Sequence, residues 1–253
     1  MTAAIPDALA FEDASALPLG ISTAACALFQ RDFLALNTPA KGARATGRIV
    51  LVWGGSTSVG VNAVQLAVAA GYEVIATASP RNFDLLKRLG ATAVFDYRSP
   101  TVVADIGAAL RGKTVAGAVA IGAGSVQPCI DILGLCKGNR FIAMATPPAS
   151  FDAVPVGRGH WRKLIAAMAG TVAGNIALAL SARRKKVTLK MIWGSTLISN
   201  EVGPMIFETF LPEALADGRY VAAPAVEIAG HGLAAIPVAL ERQCRGVSAT
   251  KLW

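Results

Sequence analysis

Twelve consecutive residues constrain this chain more than any others: Ile49-Val50-Leu51-Val52-Trp53-Gly54-Gly55-Ser56-Thr57-Ser58-Val59-Gly60. A β-branched, apolar run of this length suits a strand covered on both faces. Two glycines follow where the backbone must turn sharply, and the small side chains after them let main-chain N–H groups face an anion. A helix opening near Ser58 points the positive end of its dipole at the same place. Strand, turn and helix together make a corner suited to a pyrophosphate. Against the pattern G-x-G-x-x-G, Gly55 and Gly60 take the first and third positions and Thr57 stands at the second. Taken alone, the stretch is also compatible with an ordinary tight turn between a strand and a helix.

The surrounding order supplies the context. Residues 1 to 40 carry helical patches without a strand pattern, with a helix expected over Ser22 to Leu34, and Pro39 and Gly42 mark a loop. From Arg48 onward short apolar runs alternate with helix-length segments, the order that produces an α/β fold with a doubly wound parallel sheet. Gly71 closes the helix at 58–70, and Glu73 to Thr77 reads as the second strand. Ser79 and Pro80 stand as N-cap and first residue of a helix that ends at Gly90. A third strand is expected at Ala93 to Phe95, a helix from Ser99-Pro100 to Leu110, and a fourth strand at Val115 to Ile121. A helix over Val126 to Leu133, a fifth strand at Arg140 to Ala145 and a sixth at Val187 to Trp193 follow. The pattern then predicts a helix from Glu201 to Ala216, a strand near Tyr220, a helix from His231 to Gln243 and a short strand at Lys251 to Trp253.

At 253 residues the chain has room for one or two domains. Its four cysteines show no C-x-x-C spacing and no signal peptide is recognisable, so a reducing, cytoplasmic setting is expected. His160 and His231 sit at no ligand spacing from a cysteine, and no metal is expected. The formal charge of +8 asks whether nucleic acid is a partner. The excess is local, however, with Arg158, Arg162 and Lys163 before an uncharged segment and Arg183, Arg184, Lys185, Lys186 and Lys190 after it. No aromatic RNA-binding motif, zinc finger or basic zipper accompanies these residues, so nucleic acid is not expected. The bracketed stretch, Leu164 to Ala182, is long enough to span a bilayer. Its glycines and alanines point instead to a helix packed within the fold, while the basic flanks of 158–190 also suit contact with a membrane surface.

Several spaced motifs resemble those of one family. Gly54-Gly55-Ser56-Thr57-Ser58-Val59-Gly60, Ile75-Ala76-Thr77-Ala78-Ser79-Pro80-Arg81-Asn82-Phe83-Asp84, Leu89-Gly90-Ala91 and Val94-Phe95-Asp96-Tyr97 are similar to stretches of the zinc-independent medium-chain dehydrogenase/reductases. Within that family the resemblance is to the quinone-oxidoreductase-like and trans-acting enoyl reductase branch of fungi. Ile5-Pro6-Asp7, Ala16-Leu17-Pro18-Leu19-Gly20 and Ser22-Thr23-Ala24 resemble the segment that enters the cofactor domain, and Gly246-Val247-Ser248-Ala249 with Lys251-Leu252 resembles the tail that returns to the catalytic domain. The resemblance implies a division into 1–40 as a remnant and linking helix of the catalytic domain, 41–218 as a Rossmann NADP-binding domain with a helical insertion at about 151–186, and 219–253 as the returning segment. Family members carry a GroES-like domain of about one hundred residues upstream, a common domain size, and this sequence is expected to begin at its end. One wall of the active-site cleft is then expected to be missing and turnover to be weak.

The resemblance further implies hydride transfer from NADPH to an activated C=C bond of an enone or enoyl substrate, or to a quinone. Ser56, Thr57, Ser58 and Val59 match its pyrophosphate turn, and Ser79, Pro80, Arg81 and Asn82 match its segment for the adenosine 2′-phosphate. Tyr97 matches a position on the adenine side, and Ile192 and Trp193 match residues at the nicotinamide end. No matching residue supplies a general acid. Independently of the family, an NAD site places Asp or Glu at the end of strand two. Here Thr77-Ala78-Ser79-Pro80-Arg81 offers no acid before Asp84 and does offer a guanidinium, which favours NADP(H). The alternative is a non-catalytic NADP-binding or interaction protein, and monomer and dimer are both compatible with the sequence.

Overall fold

A computed structural model of the protein describes residues 4–7, 9–147 and 161–252. Arg158, His160, Trp253 and the opening of the insertion expected at 151–186 lie outside the described residues. Two helices lead in, α1 (Phe11–Ser15) and α2 (Leu17–Phe29). An α/β alternation follows: β1 (Arg48–Trp53), α3 (Ser58–Ala69), β2 (Glu73–Ala78), α4 (Phe83–Arg88), β3 (Ala93–Asp96), α5 (Val102–Ala109), β4 (Thr114–Ala120) and α6 (Val126–Leu133). The two-residue β5 (Lys137–Gly138), β6 (Phe141–Met144), α7 (Trp161–Lys185) and β7 (Thr188–Met191) complete the main sheet. Beyond them a helical run comprises α8 (Val202–Pro204), a π-helical stretch (Met205–Phe210) and α9 (Leu211–Ala216), and β8 (Ala225–Glu227), α10 (Ile236–Arg245) and β9 (Thr250–Leu252) end the chain.

The strand order is β3-β2-β1-β4-β6-β7, with β5 beside β4, and these pairs are parallel. Parallel neighbours cannot be joined by hairpins, so each connection crosses over through a helix or a long loop. The order reverses between β1 and β4, and the connections there leave in opposite directions. A crevice therefore opens at the carboxyl ends of these two strands.

The apolar run of β1 explains its central place, because residues on both faces are covered. Val50, Val52, Val74 and Ala76 belong to a core shared with α2 and α3. Ile49, Leu51, Trp53 and Ile75 belong to a second core under α5 and α6. The α2 helix crosses α3 closely: a Cβ added at Gly20 would lie 2.5 Å from Asn62 Nδ2 and 2.7 Å from Ser58 O.

The C-terminal segment is bound to the same helix. Tyr220 is buried, and its hydroxyl donates to Oδ1 of the wholly buried Asn62. Gln65 brackets Val221, donating to its carbonyl at 3.2 Å and accepting from its N–H at 2.9 Å. β8 and β9 pair in parallel as a separate two-stranded sheet, and Lys251 Nζ donates to the carbonyls of Ser15 and Ala16 at 3.4 and 3.2 Å.

Several boundaries differ from those expected. The first long helix runs from Leu17 to Phe29 instead of from Ser22 to Leu34, because Pro18 is tolerated in its first turn and Gln30 is extended. No strand forms at Tyr220; its ring is drawn into the core against α3, and the strand begins at Ala225. The last helix starts at Ile236 after a 3₁₀ turn over Leu233–Ala235. Helix α5 starts at Val102, beyond the expected Ser99-Pro100 cap.

The uncharged stretch does form a helix, but it is not packed along the fold. Among the described residues, contact with the domain is made near its end, by Leu178 and Ala182 against the core and by Ser181 and Lys185 on Gln127 and Asp131 of α6. That face of the sheet is already covered by α5 and α6, and among the described residues it is the last turns of α7 that pack on the core. A Cβ added at Gly170 or Gly174 would meet nothing within 4 Å. Among the described residues no helix is long and apolar enough to cross a membrane.

Replacing Tyr220 by Phe leaves the Asn62 oxygen buried without this donor, and the expected loss is about 1–3 kcal/mol of stability. Urea unfolding should show a lower midpoint with an unchanged slope; an unchanged midpoint would remove this hydrogen bond from the anchoring of the C-terminal segment.

Candidate functional site

The turn after β1 is held from behind by β2. Gly54 N donates to the Thr77 hydroxyl at 3.0 Å and Gly55 N to the Thr77 carbonyl at 2.8 Å, and Thr77 is wholly buried. Gly54 has φ +83°, and a Cβ there would lie 2.7 Å from Ile121 O. A Cβ at Gly60 would fall 2.2 Å from Gly54 O and 2.6 Å from Gly55 O, so α3 starts closer to the turn than any side chain permits.

Thr57, which stands where the pattern has its second glycine, bonds within the turn. Its hydroxyl donates to Gly54 O at 2.8 Å and accepts from Gly60 N at 3.0 Å, capping α3 while closing the turn. With Thr57 N also bonded to Gly54 O, the turn's own bonding leaves the amides of Ser56, Ser58 and Val59. Those of Ser58 and Val59 belong to the first turn of α3, where donors have no intrahelical acceptor.

Ser56 and Ser58 border a cavity of about 880 Å³ at the carboxyl ends of β1, β2 and β4, and Val59 follows them in the first turn of α3. Ser56, Thr57, Ser58, Ser79, Arg81 and Tyr97 line it, so residues expected for the pyrophosphate and 2′-phosphate come together. Ser79 precedes a 3₁₀ turn, Pro80–Asn82, and makes no side-chain cap hydrogen bond; its carbonyl accepts from Asn82 N at 2.9 Å, and its hydroxyl lies 3.5 Å from the Tyr97 hydroxyl. Gly55, Gly60 and Asn82 are buried behind the lining, and Pro80 is exposed on the turn. Asn82 acts as a strut, donating to Ser248 Oγ at 3.1 Å and fastening the C-terminal tail beside the cavity.

Ile192 and Trp193 are not brought to this cavity. Ile192 is buried beyond β7, with its N–H on Met144 O at 2.9 Å. Trp193 is 69% exposed and borders a second cavity of about 550 Å³ with Gln30, Phe33 and Lys190.

Arg98, Arg245 and Lys251 join Arg81 in the main cavity, and no Asp or Glu is among its described lining residues. Four cations in a lining that holds no acid make a site for an anion, although one of them has a counter-charge behind the lining. Arg81 and Arg98 have no acidic partner among the described residues, whereas Arg245 pairs with Glu241. The Arg98 guanidinium lies 5.2 Å from the centroid of the Tyr97 ring, and its Nε donates to the Tyr97 oxygen at 3.2 Å. Arg98 directly follows Tyr97, and a charge beside the aromatic expected in the site was the available signal. Arg245 and Lys251 lie nearly two hundred residues from the turn, where local pattern gives no warning. Among the described residues, no group of three or more His, Cys, Asp or Glu side chains is placed to hold a metal ion.

Residues 58–139 match the family described as zinc-binding dehydrogenase. The chain is 44% identical over its whole length to dehydrogenase pigH of Monascus ruber, covering 67% of that protein. It is 34% identical to trans-enoyl reductase himH of Aspergillus japonicus, covering 64% of it. The chain belongs to the medium-chain dehydrogenase/reductase family, among whose oxidoreductases its relatives include dehydrogenases and trans-enoyl reductases. It spans about two thirds of the length of the relatives it matches. The fold is that of CurK enoyl reductase, at 19% identity with a TM-score of 0.64, covering 98% of this chain and 64% of that one. A Pseudomonas syringae quinone oxidoreductase superposes with a TM-score of 0.64 at 20% identity, over 98% of this chain and 66% of that one.

Hydrogen bonds from the Ser79 hydroxyl and the Arg98 guanidinium hold the Tyr97 phenol below the usual tyrosine range, while burial pushes Tyr220 well above it. Alkaline ultraviolet titration should therefore separate the two, and Arg98→Ala should move the earlier transition to higher pH. Tyr97 and Tyr220 ionising together, or no response to Arg98→Ala, would contradict this geometry.

Proposed function

We propose that the chain binds NADP(H) in the cavity beside the glycine turn and serves hydride transfer to an activated C=C bond of an enone or enoyl compound, or to a quinone. The observation that carries this is the acid-free, four-cation lining beside a turn with unused amides. A dinucleotide pyrophosphate suits the amides of Ser56, Ser58 and Val59 and the dipole of the 12-residue α3. The 2′-phosphate of the adenosine suits Ser79 and Arg81, with Tyr97 and Arg98 at its side. No carboxylate ends β2 to accept from a ribose diol, so the phosphorylated cofactor is favoured over NAD(H).

The bound nicotinamide supplies the hydride chemistry, and the protein's part is to bind, orient and exclude water. The carboxyl ends of β2 and β7 stand four strand spacings apart, about 19 Å at 4.8 Å each. A dinucleotide with its adenosine end at β2 and β3 directs its nicotinamide end past β4 toward β6 and β7, where Ile192 and Trp193 follow. That gives these two residues a place in the proposed site although they do not line the adenosine half. Trans-enoyl reductase and quinone oxidoreductase relatives support an activated C=C bond or quinone as acceptor.

Fluorescence titration of NADPH and NADH tests the cofactor assignment. NADPH should bind more tightly, and Arg81→Ala should weaken it by about 1.5–3 kcal/mol, the scale of hydrogen bonds to a charged group, while leaving NADH nearly unchanged. Equal losses for both cofactors would contradict the role given to Arg81. Oxidation of NADPH in the presence of enone and quinone panels then tests the reaction itself.

A further inference from the structure

Helix α7 carries a face that the domain does not use. Ile165, Met168, Val172, Ile176 and Leu180 recur at three- and four-residue intervals, and each is between 52% and 57% exposed. At 3.6 residues per turn they form one stripe along the helix. Leu178, Ser181, Ala182 and Lys185, which meet the domain, lie on the opposite side. The stripe therefore points away from the described residues of the domain.

The charge around it has one sign. Residues 153–200 contain eight Lys and Arg and no Asp or Glu, which equals the formal charge of +8 of the whole chain, so the remainder is balanced. Arg162 and Lys163 fall in the first turn of the helix by sequence. At its other end Lys185 pairs with Asp131 and Lys190 with Asp32, whereas Arg183, Arg184 and Lys186 have no acidic partner among the described residues. A second copy laid antiparallel on this stripe would bring one basic end against another. A surface that accepts an apolar stripe between two basic ends must itself be apolar below and anionic above.

We propose that α7 lies on an anionic phospholipid bilayer, its apolar stripe sunk at the acyl boundary and Arg183, Arg184 and Lys186 among the head groups. The 25-residue helix is about 37 Å long and rests in the interface instead of crossing it. This inference is independent of the cofactor site.

Co-sedimentation of the 253-residue chain with vesicles of pure phosphatidylcholine, and of phosphatidylcholine mixed with phosphatidylserine, tests it. A basic residue near an anionic surface gains roughly fivefold in partitioning, so three unpaired cations predict about a hundredfold preference for the mixed vesicles at low salt, reduced at high salt. Val172→Asp with Ile176→Asp should abolish binding. Arg183→Gln, Arg184→Gln and Lys186→Gln together should remove the preference while leaving the apolar face intact. All five positions lie outside the core, and thermal unfolding of both variants should match that of the parent. No enrichment on the mixed vesicles would overturn the proposal, as would binding that survives both variants. A dimer in sedimentation velocity that Val172→Asp with Ile176→Asp dissociates, without vesicle binding, would instead assign the face to a second copy.

Discussion

The structure depends on a contact with no room in it. Gly60 at the start of α3 lies against the carbonyls of Gly54 and Gly55 so closely that no Cβ fits between them. This closeness sets the amino end of α3 directly over the carboxyl end of β1. The Thr77 hydroxyl and carbonyl then pin the same turn to β2, and Thr57 locks its far side. With the turn fixed in this way beside the cavity, little ordering remains for a ligand to impose.

The rest of the site is electrostatic, and it is assembled from distant parts of the chain. Arg81 follows β2, Arg98 follows β3, and Arg245 and Lys251 come from the last helix and strand. The C-terminal segment holds its place because Tyr220 and Val221 are tied to Asn62 and Gln65 of α3, and Ser248 to Asn82. One helix thus presents its amino end to the cavity and its flank to the segment that walls the cavity. The cavity and the C-terminal segment are mechanically one unit.

Much of this was legible beforehand, for physical reasons that differ by element. The strands β1, β2 and β4 declare themselves because residues buried on both faces must all be apolar, and the helices between them are punctuated by Gly71 and Gly90 with positive φ. The turn from Gly54 to Gly60 is local in sequence and carries its geometry with it. What pattern could not supply was long range. Tyr220 reads as a strand residue, yet its hydroxyl finds the Asn62 amide oxygen on α3, and no periodicity foretells that. Asn82 resembles a ligand residue but turns its amide to Ser248. The stretch 164–182 reads as a buried helix because its residues are apolar and small; the surface that would have buried it is already occupied by α5 and α6.

The central claim is that the glycine turn, the segment after β2 and the C-terminal tail form one anion-binding surface. Amide hydrogen exchange in the presence and absence of NADP⁺ measures this directly. The account predicts that protection rises together at Gly54–Gly60, at Ser79–Asn82 and at Gly246–Lys251, three segments that meet at a single cavity. Protection confined to the second cavity around Gln30 and Trp193, with the glycine turn and the tail unchanged, would contradict it.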